Sequence, residues 1–133
     1  MEAIDQMYQE NILDHYKNPR NAGKIDNASV QHHEKNPLCG YELDVFLNID
    51  KNNKITDVKI KAHGCAISTA SASMLGENVK GKHVDEIKKL RKDDILEMLG
   101  IPISAARLKC VLLSMDTFKN SVLIYDKYID KKH

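Results

Sequence analysis

Three cysteines, Cys39, Cys65 and Cys110, are the residues of this chain best suited to chemistry. They stand too far apart for a zinc knuckle or a Cys-x-x-Cys redox pair, so each is read from its setting. Cys39 lies in Asn36-Pro37-Leu38-Cys39-Gly40, a turn just before an alternating segment. Cys65 follows His63-Gly64, where a strand gives way to a helix; a helix N-terminus stabilises anions, so a thiolate forms readily there. Cys110 comes early in the last helix, behind Arg107 and Lys109, whose charges act the same way. Taken singly, a free cysteine is most often a buried packing residue. All three, though, sit at element starts bordered by glycine or cations, and such starts can converge at one end of a sheet. Three thiolates meeting there would make a soft-metal site, suited to Zn²⁺ or to iron–sulfur chemistry.

The elements that must position them follow from periodicity. Residues 1–16 read as a helix, with Ile4, Met7, Tyr8, Ile12 and Tyr16 at helical spacing. Asn18-Pro19 ends it, because the residue before proline is pushed out of the α region. Residues 18–38 are polar and extended, with one short edge strand near 28–33. Residues 41–49 alternate, with Leu43, Val45, Leu47 and Ile49 on one face. A turn-rich connection over 50–54 leads to a return strand over 55–62. One apolar and one polar face predict a sheet covered on one side. A small-residue helix follows Cys65, then two short helices over 84–90 and 93–99. Last comes a long helix from Ser104 to about 128, striped by Leu108, Val111, Leu112, Met115, Phe118, Val122 and Tyr125. The order predicts an α+β fold: a small antiparallel sheet with helices on one face and a long C-terminal helix.

The whole is expected to be one domain over residues 1–133. Its net charge is +1, from 20 basic and 19 acidic residues, which argues against a protein built to grip nucleic acid. No apolar run reaches the ~18–20 residues that span a bilayer, and the N-terminus lacks the regions of a secretory signal. A cytoplasmic chain is expected, with no membrane partner. An odd cysteine count excludes a full disulfide framework. Among the six histidines, His32, His33 and His133 read as solvated, and His15 as structural. His63, two residues from Cys65, is the one that could reach a metal there.

The stretch Tyr8-Gln-Glu-Asn-Ile-Leu-Asp-His-Tyr-Lys-Asn-Pro-Arg-Asn21 resembles the N-terminal signature of the U-type iron–sulfur scaffold family (IscU, SufU and the N-terminal domain of NifU). Asn36-Pro-Leu-Cys-Gly40, Gly64-Cys-Ala-Ile-Ser68, Ala70-Ser-Ala-Ser73, Gly81-Lys82 and Leu108-Lys-Cys110 fall in the family's order. The resemblance implies a three-stranded antiparallel sheet, with Cys39, Cys65 and Cys110 as cluster and metal ligands. It implies a scaffold rather than an enzyme: sulfur comes from a cysteine desulfurase, a [2Fe–2S] cluster is built, and recipient apo iron–sulfur proteins receive it. Zn²⁺ can occupy the same site.

The sequence departs from the family pattern at three places. Tyr41 stands where the family usually has Asp, Lys109 where IscU-like members have His, and Ile101-Pro102-Ile103-Ser104 where a Leu-Pro-Pro-Val-Lys chaperone motif would be. A phenol is a poor metal ligand at neutral pH, so Tyr41 is expected to shield the site rather than complete it. The fourth position then falls to His63, Lys109, water or a second chain in a cluster-linked homodimer. Mobility of the Cys39 loop and the cations beside Cys110 favour these two, and not Cys65, as first acceptors of sulfur. The alternative reading is a zinc-bound sulfur acceptor that activates the desulfurase. A purely structural zinc module is a third reading. A cysteine hydrolase finds no recognisable Cys–His–carboxylate set.

Overall fold

The computed structural model describes residues 3–37 and 40–132. Its elements are α1 (Ala3–Lys17), β1 (Val30–Asn36), β2 (Tyr41–Ile49), β3 (Ile55–His63), α2 (Ala66–Val79), α3 (Val84–Lys88), α4 (Lys92–Leu99) and α5 (Ala105–Lys132). The three strands form one antiparallel sheet in the order β1-β2-β3. Helices α2 and α5 lie on one face, α2 against β3 and α5 against β1 and β2, while α1 packs on α2 and α3 and α4 on α5. The expected α+β architecture is the one observed.

The core follows the expected alternation. Leu43, Val45, Leu47 and Ile49 of β2 meet Val58 and Ile60 of β3 beneath Val111, Met115, Phe118 and Val122 of α5. The β2–β3 turn is set by Asp50, whose carboxylate accepts from the Asn52 and Lys54 amides, and by Asn53 at φ +62°. Asx turns of this kind supply backbone partners where the ladder stops.

Three details differ from the sequence reading. Strand β1 runs from residue 30 to 36 rather than 28 to 33, because its residues are polar and its limits come from pairing with β2, not from its own pattern. Tyr16 is exposed; Ile12 and His15, three apart, carry the inward face of α1 instead. The side chains of Ile4, Met7 and Tyr8 lie outside the described part. Finally, Phe46 breaks the alternation of β2 and is buried on the otherwise polar face. The segment after α1 pairs with the outer edge of β3 at Ile60, then crosses that face. Gly23 sits against the Lys59 side chain, and Ser29 against the Asn48 amide and the Ile49 backbone. The polar face is therefore crossed by chain rather than bare.

Candidate metal centre

Cys65 is the N-cap of α2. Its extended backbone (φ −72°, ψ 166°) turns the thiol back over the first helical turn. There Sγ accepts from the Ser68 amide at 3.4 Å and lies 3.1 Å from the Ser68 hydroxyl. Partial burial opposes ionisation of this thiol. The Ser68 hydroxyl, the Ser68 and Ile67 amides and the charge of Arg107 outweigh it, and the pKa is held below the ordinary thiol value. Cys65 is exposed and free. The helix-start setting read from the sequence is the one the structure has, with the thiol pKa lowered as that setting predicts and with one addition. Arg107, which the sequence sets beside Cys110, has its charge within reach of Cys65.

Cys110 sits in the second turn of α5. Ser104 caps that helix by accepting from the Arg107 amide at 3.4 Å. Only 5% of Cys110 is exposed, which does not suit the role of first sulfur acceptor that its flanking cations suggested. Lys109 and Arg107 beside it are exposed. Cys39 lies outside the described residues. The chain on either side of it does not: β1 ends at Asn36, Gly40 takes φ +68°, and β2 begins at Tyr41.

Tyr41 ties these pieces together. It is fully buried on the core face of β2. A Cβ placed on Gly64 would lie 2.6 Å from its ring, so the residue preceding Cys65 rests directly on Tyr41. Its hydroxyl donates to the Ser68 carbonyl at 3.2 Å, in the first turn behind Cys65. The same hydroxyl lies 2.8 Å from Ser114 Oγ, one turn beyond Cys110. Ser114 Oγ in turn is 3.2 Å from Ser71 Oγ of α2. One side chain, starting two residues after Cys39, therefore contacts the neighbourhoods of both other cysteines. Burial pushes the phenol far above its ordinary pKa, so it stays neutral. It lies in the core beneath the start of α2 rather than over it as the expected shield.

Of the other candidates, His63 is exposed at the end of β3 and lines a small apolar hollow on the sheet's outer edge. His15 is structural, as expected. Its Nδ1 lies 2.7 Å from Ser73 Oγ, which also accepts from the Arg20 amide at 2.8 Å, and its Nε2 faces Glu77 at 3.2 Å. Residues of the Asp-His-Tyr-Lys-Asn-Pro-Arg stretch and of the Ala-Ser-Ala-Ser stretch are thus two halves of one joint between α1 and α2. Among the described residues no three His, Cys, Asp or Glu side chains gather to hold a metal ion.

The family model for the NifU-like N-terminal domain matches residues 7–132. The chain belongs to this family. A Drosophila melanogaster relative, the iron–sulfur cluster assembly enzyme IscU, is 37% identical over 129 residues, covering 95% of this chain and 82% of its own. The iron–sulfur cluster assembly scaffold protein IscU of Escherichia coli K12 is 32% identical over 126 residues, covering 89% and 93%. Among solved structures, a protein of Fervidobacterium islandicum AW-1 assigned as an iron–sulfur cluster assembly scaffold for the SUF system superposes with a TM-score of 0.73. It is 31% identical and covers 87% of this chain and 96% of its own. That solved structure shares the fold described above. No helix among the described residues is long and apolar enough to cross a membrane.

Proposed function

We propose that this chain is a scaffold on which an iron–sulfur cluster is assembled and from which it is passed on. The observation that carries the reading is the convergence on Tyr41. It brings the start of α2, with Cys65 at its N-cap, and the start of α5, with Cys110, to the end of the sheet where β1 passes into β2. Cys39, Cys65 and Cys110 would hold the cluster. Thiolate sulfur suits iron and zinc alike, and the electropositive helix starts offset the charge that three thiolates would accumulate. The cluster, a [2Fe–2S] unit, is cargo, and the chain does no turnover on a small substrate. Sulfur comes from a cysteine desulfurase, and recipient apoproteins take the finished cluster. With Tyr41 committed to the core, the fourth iron position falls to water or to a second chain. The named scaffold relatives support this reading.

The relative assigned to the SUF system keeps a second reading in view, a zinc-bound sulfur acceptor that stimulates the desulfurase. The test is purification and reconstitution without air, using iron, cysteine and a desulfurase. Charge-transfer absorption with stoichiometric acid-labile sulfide is expected. Ser in place of Cys39, Cys65 or Cys110 should each abolish a stable cluster, and a cluster surviving any one replacement removes that residue from the site. A colourless zinc protein that accelerates the desulfurase would favour the second reading.

A further inference from the structure

Strand β3 carries an unfilled backbone edge directly before Cys65. In an antiparallel pair, successive residues turn their N–H and C=O alternately toward and away from the partner strand. Ile60 turns its pair away from β2: its amide donates to the Asn21 carbonyl at 2.8 Å, and its carbonyl accepts from the Gly23 amide at 2.9 Å. Ala62 has the same parity, so its N–H and C=O also face outward. The chain that pairs at Ile60 leaves the edge after Gly23 to cross the sheet, and nothing among the described residues takes its place beside Ala62. A hollow of about 260 Å³ opens there, walled by Pro19, Ala22, Ile60 and Ala62, with Lys61 and His63 at its rim.

We propose that the outer edge of β3 at Ala62 receives an extended, cysteine-bearing segment of the sulfur-donating protein, which adds as a further strand. The proposal rests on the scaffold reading and names how its donor docks. Three features select this occupant. The open N–H and C=O pair calls for an extended backbone, as in other cases of strand addition, and Ile60 already binds one in this manner. The apolar hollow takes one small side chain of that strand, and the exposed Lys61 favours an acidic residue beside it. Cys65 lies three residues beyond Ala62, a reach of ~10 Å along an extended chain. A donor cysteine a few residues past the paired position therefore arrives at the exposed Cys65 thiol, so the first acceptor here is Cys65 and not Cys39 or Cys110, to which the sequence pointed. There the Cys65 sulfur attacks the terminal sulfur of the donor's Cys–S–S–H. A new S–S bond forms on Cys65, the donor's S–S bond breaks, and its electron pair leaves on the donor sulfur. The terminal proton travels with the transferred sulfur, and nothing is oxidised or reduced overall.

The test uses the full chain, a cysteine desulfurase loaded with persulfide, and inorganic sulfide as the control sulfur source. Adding the loaded desulfurase should slow hydrogen exchange of the Ala62 amide by about tenfold or more. Ala62→Pro, which removes an outward N–H and no ladder bond, should slow desulfurase-driven sulfur loading by about tenfold. Lys61→Glu, an exposed change opposite Asp44 whose folding is checked by circular dichroism, should weaken loading severalfold at low salt and less at high salt. Both variants should build a cluster from iron and inorganic sulfide as the unaltered chain does. Unchanged Ala62 exchange, or unchanged loading of Lys61→Glu, would overturn the docking while cluster building stands. Failure of the unaltered chain to build a cluster from inorganic sulfide would sink the scaffold reading and this proposal with it.

Discussion

Replacing Tyr41 with Phe removes one oxygen and nothing else, and the structure fixes what that oxygen does. The hydroxyl is fully buried and joins the Ser68 carbonyl at 3.2 Å to Ser114 Oγ at 2.8 Å. Its loss leaves neither partner bare. Ser71 Oγ donates to the same Ser68 carbonyl at 3.0 Å and lies 3.2 Å from Ser114 Oγ. The cost is therefore that of hydrogen bonds lost without a stranded buried group, about 1–1.5 kcal/mol. At roughly 2.1 cal/mol/K per residue, a chain of 133 residues has an unfolding entropy on the order of 0.28 kcal/mol/K. The metal-free midpoint should then fall by about 4–5 °C in a thermal melt followed by circular dichroism. Metal affinity and the cluster spectrum should not change, because the phenol is not a ligand. A melt that does not move, or a spectrum that does, refutes the role assigned to this hydroxyl. Tyr41→Asp is a poor substitute for the same question. It empties the ring's place in the core at a cost of about 3–5 kcal/mol and buries a carboxylate there. Cluster lability in that variant has to be measured against Tyr41→Phe before a new ligand is credited.

Two further outcomes follow from particular contacts. Gly64→Ala places a Cβ 2.6 Å from the Tyr41 ring, which is locked in the core and cannot swing aside. Denaturant unfolding should show a loss of about 1–3 kcal/mol, with a displaced Cys65 seen as weaker metal binding. His15 has its pKa held below the free value, chiefly by burial and further by the charge of Arg20, against Glu77 and Asp14. The unfolded state then binds the proton more readily, so the stability His15 contributes is complete above about pH 6.5 and is lost as pH falls toward its folded pKa. Urea titrations at pH 7.5 and 5.5 should show a larger acid loss in the unaltered chain than in His15→Gln, and equal losses would remove His15 as the cause.

The fold was legible where residue pattern and packing agree. The alternation of β2, the stripe of α5 and the turn at Asp50 each appear where the sequence places them. The limits of β1 were not legible, because its residues Val30-Gln-His-His-Glu-Lys-Asn36 carry no clear period and are paired only because β2 lies beside them. The thiolate setting of Cys65 could be read from its place between a strand and a helix. The burial of Tyr41 could have been read too, since position 41 continues the Leu43, Val45, Leu47 face. Its identity as a departure from the family pattern drew attention to metal chemistry instead. The reach of Arg107 to Cys65 and the open edge at Ala62 had no sequence signal. Each depends on how distant segments pass one another in space.

The hydroxyls between α2 and α5 act as a gauge. Sliding α5 along its axis by one residue is a shift of ~1.5 Å. That is enough to break the 2.8 Å contact between Ser114 and Tyr41 and the 3.2 Å contact between Ser114 and Ser71. An all-aliphatic seam would tolerate such a slip, since apolar surfaces attract without direction. Cys65 and Cys110 ride on those same two helices. Their separation is thus calibrated by hydroxyl oxygens in the seam between the helices rather than by the cysteines themselves.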